Sequence, residues 1–252
     1  MNTVRKVNLR GERGETTQGF YVIDADGGAY GYNNNRDVDR VLAFMKGGLD
    51  NYRSSPKQQT DSIEPVDDGI PDPPPGATTL RVYQRIIPVP QGADPANQNV
   101  QRDHFWLLES EAKDLALAKV SDTLSLRLCR FVFNDAIRGE PDMWHVSEIR
   151  KRTFAASKVG DHVELTGHYE MRTMNDSRGL QGKLFAEVRF AGSKVIGFKG
   201  VADATAWGQS TYTPNPPKGK FSLKFAFVIA PESIDTVAPQ AAFFGQGYLT
   251  GR

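Results

Sequence analysis

Cysteine is almost absent from this chain, because its 252 residues include only Cys129. An internal disulfide is therefore excluded, and so is a CxxC redox or zinc motif. Within the apolar stretch LSLRLCRFVF, a lone cysteine is typical of a small core side chain. A catalytic thiol is the alternative interpretation.

The chain also lacks an excess of either charge, since 31 Lys+Arg against 30 Asp+Glu give a formal net charge of +1. No strong overall field attracts nucleic acid or an anionic membrane, so we predict neither as a partner. Glycine-rich phosphate loops of the GxxxxGK[ST] and GxGxxG types are missing as well, and we predict no cofactor.

Long apolar runs are missing too. No stretch approaches the roughly 18 apolar residues of a membrane helix. The opening MNTVRKVNLRGERGE has no apolar region of the kind found in signal peptides. We therefore expect a soluble protein that is cytoplasmic, or secreted if a signal peptide has been removed.

The segment TTQGFYVIDADGGAYGYNNNRDVDRVLAFMKGGLDNY combines two periodicities. Aromatic and β-branched residues flank the turn residues 25–28, which predicts a β-hairpin. From Val38 to Tyr52, apolar residues recur at helical spacing and predict an amphipathic helix that packs through this stripe. The polar NNNRDVD before the stripe predicts a helix entrance capped by Asn35 or Asp37.

Residues 17–53 of this segment resemble the C-terminal hairpin and helix of a thioredoxin-like domain. The CxxC motif is lacking, and so is the proline that precedes the hairpin strand in that family. The resemblance therefore implies packing geometry and no redox activity. The remainder of the chain, with its RDH, RGEP and Trp144 pattern, resembles only uncharacterised bacterial proteins, which implies no function.

Proline divides the chain. Residues 55–77 are rich in proline and poor in large apolar residues, which predicts a linker or a surface strap. We expect a hairpin–helix element over residues 1–54. A larger antiparallel β domain is expected over residues 78–252, with helices near residues 110–130.

Residues 149–230 alternate between apolar and polar side chains, strand after strand, with short turns such as VGD and AGSK between them. Period two with one apolar face predicts an antiparallel sheet that is wet on one side. The expected fold class is α+β, with the hairpin–helix element followed by a β-meander that is a curved sheet or barrel-like. Ser110 is the predicted N-cap of one short helix. A second helix from Asp122 is expected to become a strand near Phe131.

Polar residues gather in RGEPDMWH, from Arg138 to His145. His145, with Glu140 near it, could act as a general base, because the ordinary histidine pKa of about 6.5 lies near working pH. His104, in RDHFWLL, is the second catalytic candidate. The alternatives are a tryptophan–histidine pair that anchors a loop and a salt bridge at a strand start.

One strand carries residue types that bind metals: His162, Glu164, Thr166, His168 and Glu170. Alternation places them on one face, and imidazole and carboxylate are zinc ligands. However, residues six apart in a strand lie roughly 20 Å apart, so the two imidazoles cannot bind one ion without a bend. We interpret the run as a solvated face and predict no metal site.

Aromatic residues of the β domain lie opposite glycine and alanine. A curved sheet lined in this way can leave an apolar pocket, so Trp144, Tyr169, Phe198 and Trp207 are the candidate ligand-binding residues. A filled core, in which the small residues let a helix approach, is the alternative.

The function expected from these features is that of a non-catalytic binding module or scaffold for an apolar small molecule or a partner chain. The alternative is an enzyme, a hydrolase or lyase, with a polar site at Arg138 to His145 and His104. A binding module should show an aromatic-lined cavity or an exposed apolar groove. An enzyme should show a histidine within hydrogen-bond reach of a carboxylate in a cleft.

Overall fold

A computed structural model of the chain describes residues 19–24, 28–35, 37–54, 71–230, 238–243 and 247–252. The chain divides into two compact units, Met1–Ile70 and Pro71–Arg252. Two predictions lie partly outside the described residues: residues 25–27 of the hairpin turn predicted at 25–28, and residues 55–70 of the linker predicted at 55–77.

The first unit contains a hairpin and a helix. These elements are β1 (Phe20–Ile23), β2 (Ala29–Asn33) and α1 (Val38–Ser54). Asp37 caps the helix, because its Oδ1 accepts the backbone N–H of Arg40 at 3.0 Å. Asn35 lies two residues before Asp37, and its side-chain oxygen accepts the N–H of Asp37 at 2.8 Å. Both residues predicted as caps therefore support the helix entrance.

Most of the apolar stripe of α1 faces away from the hairpin. Val38, Leu42, Met45 and Leu49 are 43–69% exposed, whereas Tyr52 meets Tyr30 of β2 edge-on at 5.2 Å between ring centroids. Gly48 lies against the hairpin, so close that a Cβ there would lie 2.7 Å from Val22 Cγ2. The prediction that the helix packs through this stripe was wrong for the four exposed residues, because the helix approaches the hairpin at the glycine.

The second unit contains one antiparallel sheet of seven strands in the order β4-β3-β9-β8-β7-β6-β5. The strands are β3 (Thr78–Ile86), β4 (Gln101–Leu107), β5 (Ile149–Val159), β6 (His162–Arg172), β7 (Gly179–Ala191), β8 (Lys194–Trp207) and β9 (Lys220–Ile229). Five consecutive strands form the predicted meander. The α+β class is confirmed, and the sheet is open rather than closed into a barrel.

Short helices connect and cover the strands. They are two 3₁₀ turns (Pro95–Gln98 and Val146–Glu148), α2 (Glu109–Ala116), α3 (Asp122–Arg127), a π-helical turn (Leu128–Val132) and α4 (Gln240–Phe243). None of the helices in the described ranges is long and apolar enough to span a membrane.

Two local predictions in this region were wrong. Helix α2 begins one residue before Ser110, and its first turn is satisfied by Glu111, whose Oε2 accepts the Leu108 N–H at 2.9 Å. The chain near Phe131 is a π-helical turn and not a strand. A short apolar run fits a buried helix as well as a strand, and here it packs as a helix against the sheet.

The helices cover one face of the sheet, which we call the inner face. Phe133, just after the π-helical turn, stacks on Tyr169 at 3.8 Å between ring centroids and meets Phe225 edge-on at 5.5 Å. Alternate residues of β6 to β9 are buried there, as the period-two pattern predicts. The opposite face, the outer face, is largely exposed on the five strands from β5 to β9.

Candidate functional site

The predicted polar site forms an open cleft of about 530 Å³ beside the β6–β7 turn. Its lining is polar and acidic: Glu140, Asp142, His145, Glu148, Thr173, Arg178 and Tyr212. The structure therefore brings together two of the three catalytic candidates, His145 and Glu140. Arg138 lies outside this lining, with a buried side chain that donates to the Pro214 carbonyl at 2.9 Å.

The carboxylates of the cleft are bonded to backbone and hydroxyl groups. Glu148 accepts the backbone N–H of His145 at 2.9 Å. Asp142 accepts the N–H and the hydroxyl of Thr211 at 3.1 and 3.0 Å. Among the hydrogen bonds of the described residues, none joins a carboxylate to the His145 imidazole, so the base–orienter pair of an acid–base site is not formed there.

Trp144 is buried and contacts Arg178, which lines this cleft. Its indole N–H donates to the Phe133 carbonyl at 2.8 Å, and the Arg178 guanidinium lies 3.9 Å from its ring centroid. Arg178 also donates to Asn134 Oδ1 at 2.9 Å and to the Asp142 carbonyl at 2.6 Å. Burial lowers the pKa of Arg178. These bonds anchor the loop at Trp144, in line with the alternative to a catalytic His145, in which the tryptophan–histidine pair anchors a loop.

His104 lies far from the cleft, on β4 at the edge of the sheet. Four strands separate β4 from β6. The neighbouring Asp103 accepts the backbone N–H groups of His104 and Gln240 through Oδ1, at 2.7 and 3.0 Å. Burial raises the pKa of Asp103. The structure therefore does not bring the two candidate histidines into one site.

The aromatic candidates of the β domain do not line an enclosed pocket. Tyr169 and Phe198 are buried between the sheet and the helices. The apolar void in this layer is about 10 Å³, too small to hold one water molecule comfortably. Trp207 lies at the end of β8, where its N–H donates to the Asp176 carbonyl at 3.1 Å and Lys220 lies over its ring.

The candidate nucleophile and the candidate metal ligands lie in ordinary environments. Burial raises the pKa of Cys129 to about 12, so its thiolate is disfavoured at neutral pH. His162 lies 3.3 Å from Asp161 and 3.9 Å from Glu164 at one end of β6. In the part of the chain that the structure describes, His, Cys, Asp and Glu form no group of three or more that could hold a metal ion.

The outer face carries a feature that the sequence prediction missed, a row of apolar and small side chains across six strands. Cross-strand register places these residues side by side, and we call them the central row: Tyr83, Ala226, Val201, Phe185, Thr166 and Ala155. Phe185 is 41% exposed and Val201 is 59% exposed. The sequence does contain a sign of this row. Phe185 follows the inward-facing Leu184, and Val201 precedes the inward-facing Ala202, so two large apolar residues occupy outward positions of the alternation.

Two open grooves lie on either side of the central row. One has a volume of about 480 Å³ and is polar, with Lys151, His168, Lys183 and Asp203 in its lining. The other has a volume of about 350 Å³ and is more apolar, with Ile196, Phe198 and Val228 in its lining beside Lys199 and Glu187. Tyr169 and Phe198, two of the predicted ligand-binding residues, thus also border grooves of the outer face.

Charged residues flank the central row. On one side the register sets Arg85, Lys224, Asp203 and Lys183 next to each other, with an ion pair between Lys224 and Asp203. On the other side it sets Lys199 beside Glu187. The register continues the second side from Glu187 to Glu164. Cations thus outnumber acids on the first side only, so the exposed apolar row has a basic border on that side.

Comparison with family models, with curated proteins and with solved structures gives no match to this chain.

Proposed function

We propose that this protein is a non-catalytic binding module or scaffold that holds a partner chain on the outer face of its sheet. The observation that carries the proposal is the central row, in which Phe185 and Val201 stay exposed across the middle of an open sheet. A contiguous apolar strip with a polar border is typical of a protein interaction surface.

The chemistry of the surface selects the kind of partner. An apolar strip bordered by Arg85, Lys224 and Lys183 fits a protein segment with apolar residues at its centre and acidic residues beside them. The formal net charge of +1 supports a protein partner over a nucleic acid, which a strongly basic protein would attract.

The filled inner layer favours a partner chain over a small apolar molecule. Enclosed ligand pockets usually measure about 300–1,000 Å³, whereas the void between sheet and helices measures about 10 Å³. The two grooves of the outer face are large enough for side chains of a bound segment, and both are open to solvent.

The proposal is tested by selection from a random peptide library displayed on phage, with the full chain as the immobilised target. We expect selected peptides to combine apolar and acidic residues, and to be displaced by soluble wild-type protein but not by the Val201→Glu variant. Lys218→Glu adds acidic charge at an exposed residue away from the row and should compete like the wild type. Peptides that are displaced equally by all three proteins would place the binding surface elsewhere.

An enzyme, a hydrolase or lyase, is the second candidate, and the cleft that contains His145, Glu140 and Glu148 favours it. A panel of activated esters, amides and phosphoesters tests the hydrolase form of this idea. The binding proposal predicts no turnover above background. Turnover by the wild type that His145→Ala abolishes would contradict that proposal and support the enzyme.

A further inference from the structure

Strand β5 is a long edge strand, and no further strand pairs with its second edge in the described part of the chain. Helix α3 packs beside it, where Arg152 donates to Asp122 and Ser125. The strand contains eleven residues, Ile149–Val159, and pairs on one side with β6. Within the described residues, no backbone hydrogen bond reaches its other side. Seven of its residues are exposed: Arg150, Lys151, Thr153, Ala155, Ser157, Lys158 and Val159.

The opposite edge of the same sheet is partly covered. The Trp106 N–H on β4 donates to the Tyr248 hydroxyl at 3.2 Å, and the Trp106 carbonyl accepts from Arg127 at 2.8 Å. Asp103 on the same strand accepts the N–H of Gln240. The fold thus satisfies both backbone groups of Trp106 on the β4 edge, through Tyr248 and Arg127. On the β5 edge, within the described residues, a row of backbone donors and acceptors stays open, which is a template for a further strand.

The charges of β5 decide what kind of strand fits there. The sequence IRKRTFAASKV contains four cations and no acid. Arg152 already pairs with Asp122 at 2.7 Å. The cations of β5 that can attract a partner are therefore Arg150, Lys151 and Lys158. In an antiparallel pair of two β5 strands centred on Phe154, Arg150 would lie opposite Lys158 of the second copy. Like charges directly opposite each other destabilise a strand pair, so a second copy is disfavoured and an acidic segment is favoured.

We propose that the free edge of β5 accepts an extended acidic segment of a partner protein as an eighth strand of the sheet. The contact would use main-chain hydrogen bonds for affinity and the basic side chains for selectivity. It is independent of the proposed function, because the central row binds through side chains of the outer face and the edge binds through its backbone.

A synthetic peptide of alternating glutamate and threonine tests this proposal, since it is acidic and β-forming but has no large apolar side chain for the central row. We expect it to bind the full chain in a fluorescence anisotropy titration, and a lysine–threonine peptide to bind at least about tenfold more weakly. Amide hydrogen exchange measured by NMR should show new protection at every second residue of β5. A contact through charge alone would not produce that alternation.

Matched variants separate the edge from general charge effects. Arg150→Glu with Lys158→Glu changes two exposed cations of β5 that lie outside the lining of both outer-face grooves, and it should weaken binding by at least about tenfold. Lys119→Glu with Lys218→Glu, which changes the net charge equally, should change binding less than about twofold. Far-UV circular dichroism checks that both variants fold. Binding without alternate protection of β5, equal weakening by both variants, or no binding at all would overturn the proposal. Loss of the central-row interaction in Val201→Glu leaves this test unaffected.

Discussion

Arg127 is completely buried and holds three segments of the second unit together. Its guanidinium pairs with Glu111 of α2 at 2.7 Å, donates to the Trp106 carbonyl at 2.8 Å and donates to the Tyr248 carbonyl at 2.7 Å. Both charged groups of a buried ion pair lose their hydration. The pair therefore stabilises the fold only when their remaining donors and acceptors are also hydrogen-bonded. Here the contacts to the Trp106 and Tyr248 carbonyls also fix the C-terminal residues against β4.

Arg127→Met should therefore lower the free energy of unfolding by about 3–5 kcal/mol, because Glu111 is left buried and unpaired. Urea unfolding measures this change. The double variant Arg127→Met with Glu111→Gln removes both charges, keeps the side-chain oxygen that accepts the Leu108 N–H, and should regain most of the loss. A single variant that costs less than about 1 kcal/mol would show that Glu111 reaches water without its partner.

Asp103 gives the unfolding free energy a pH dependence of defined sign. Burial raises its pKa in the folded protein above the ordinary value of 3.8. The ionised form therefore costs stability at neutral pH, and that cost disappears as the pH falls through the raised pKa toward 3.8.

Asp103→Asn keeps the oxygen that accepts from His104 and Gln240 and removes the buried charge. The variant should be at least as stable as the wild type at pH 7, and its advantage should shrink as the pH falls toward 4. Urea unfolding at several pH values provides the measurement. An advantage that grows in acid would contradict the assigned sign.

At the scale of elements, two glycine turns with similar backbone angles differ in their surroundings. Gly192, between β7 and β8, has φ of 64° and open space where a Cβ would lie. Gly208, after β8, has φ of 73°, and a Cβ there would lie 1.9 Å from the Ser177 carbonyl oxygen. The first position needs glycine for its backbone angle alone, and the second also for the close approach of the β6–β7 turn.

Gly192→Ala should consequently cost about 1 kcal/mol, the usual price of a left-handed alanine. Gly208→Ala should cost clearly more, on the order of 2–4 kcal/mol, because the neighbouring backbone must move as well. Thermal unfolding monitored by near-UV circular dichroism compares the two variants. An equal loss of stability in the two variants would contradict this, because it would show that the β6–β7 turn moves aside at no energetic cost.

The strands and the helix entrance could be predicted from the sequence because their signals are local. Alternation in β6 and β9 and the polar residues before α1 each specify one backbone conformation. The apolar run around Phe131 has no such period, so its helical turn depends on packing against the sheet. The exposed stripe of α1 and the separation of His104 from His145 depend on tertiary contacts, which spacing along the chain does not encode.

In the second unit, the inner face of the sheet is packed against helices and the outer face is open to solvent. Helices and aromatic side chains pack the inner layer closely, and the void beside Leu80, Phe105 and Phe198 measures about 10 Å³. The outer face keeps an exposed apolar row between two grooves, and the sheet is open, with one edge of β5 unpaired within the described residues. A filled core whose sheet presents an apolar surface to solvent supports the proposed binding function.

The most direct test is a methyl-NMR titration of the full chain with a peptide selected for binding. Val201 and Val228 report the outer face, and Val146, which is 50% exposed and adjoins His145 of the cleft, reports the competing site. We predict chemical-shift changes at Val201 and Val228 that saturate with the peptide, and no change at Val146. Saturable changes at Val146 with none at Val201 would contradict the assignment of the outer face as the binding surface.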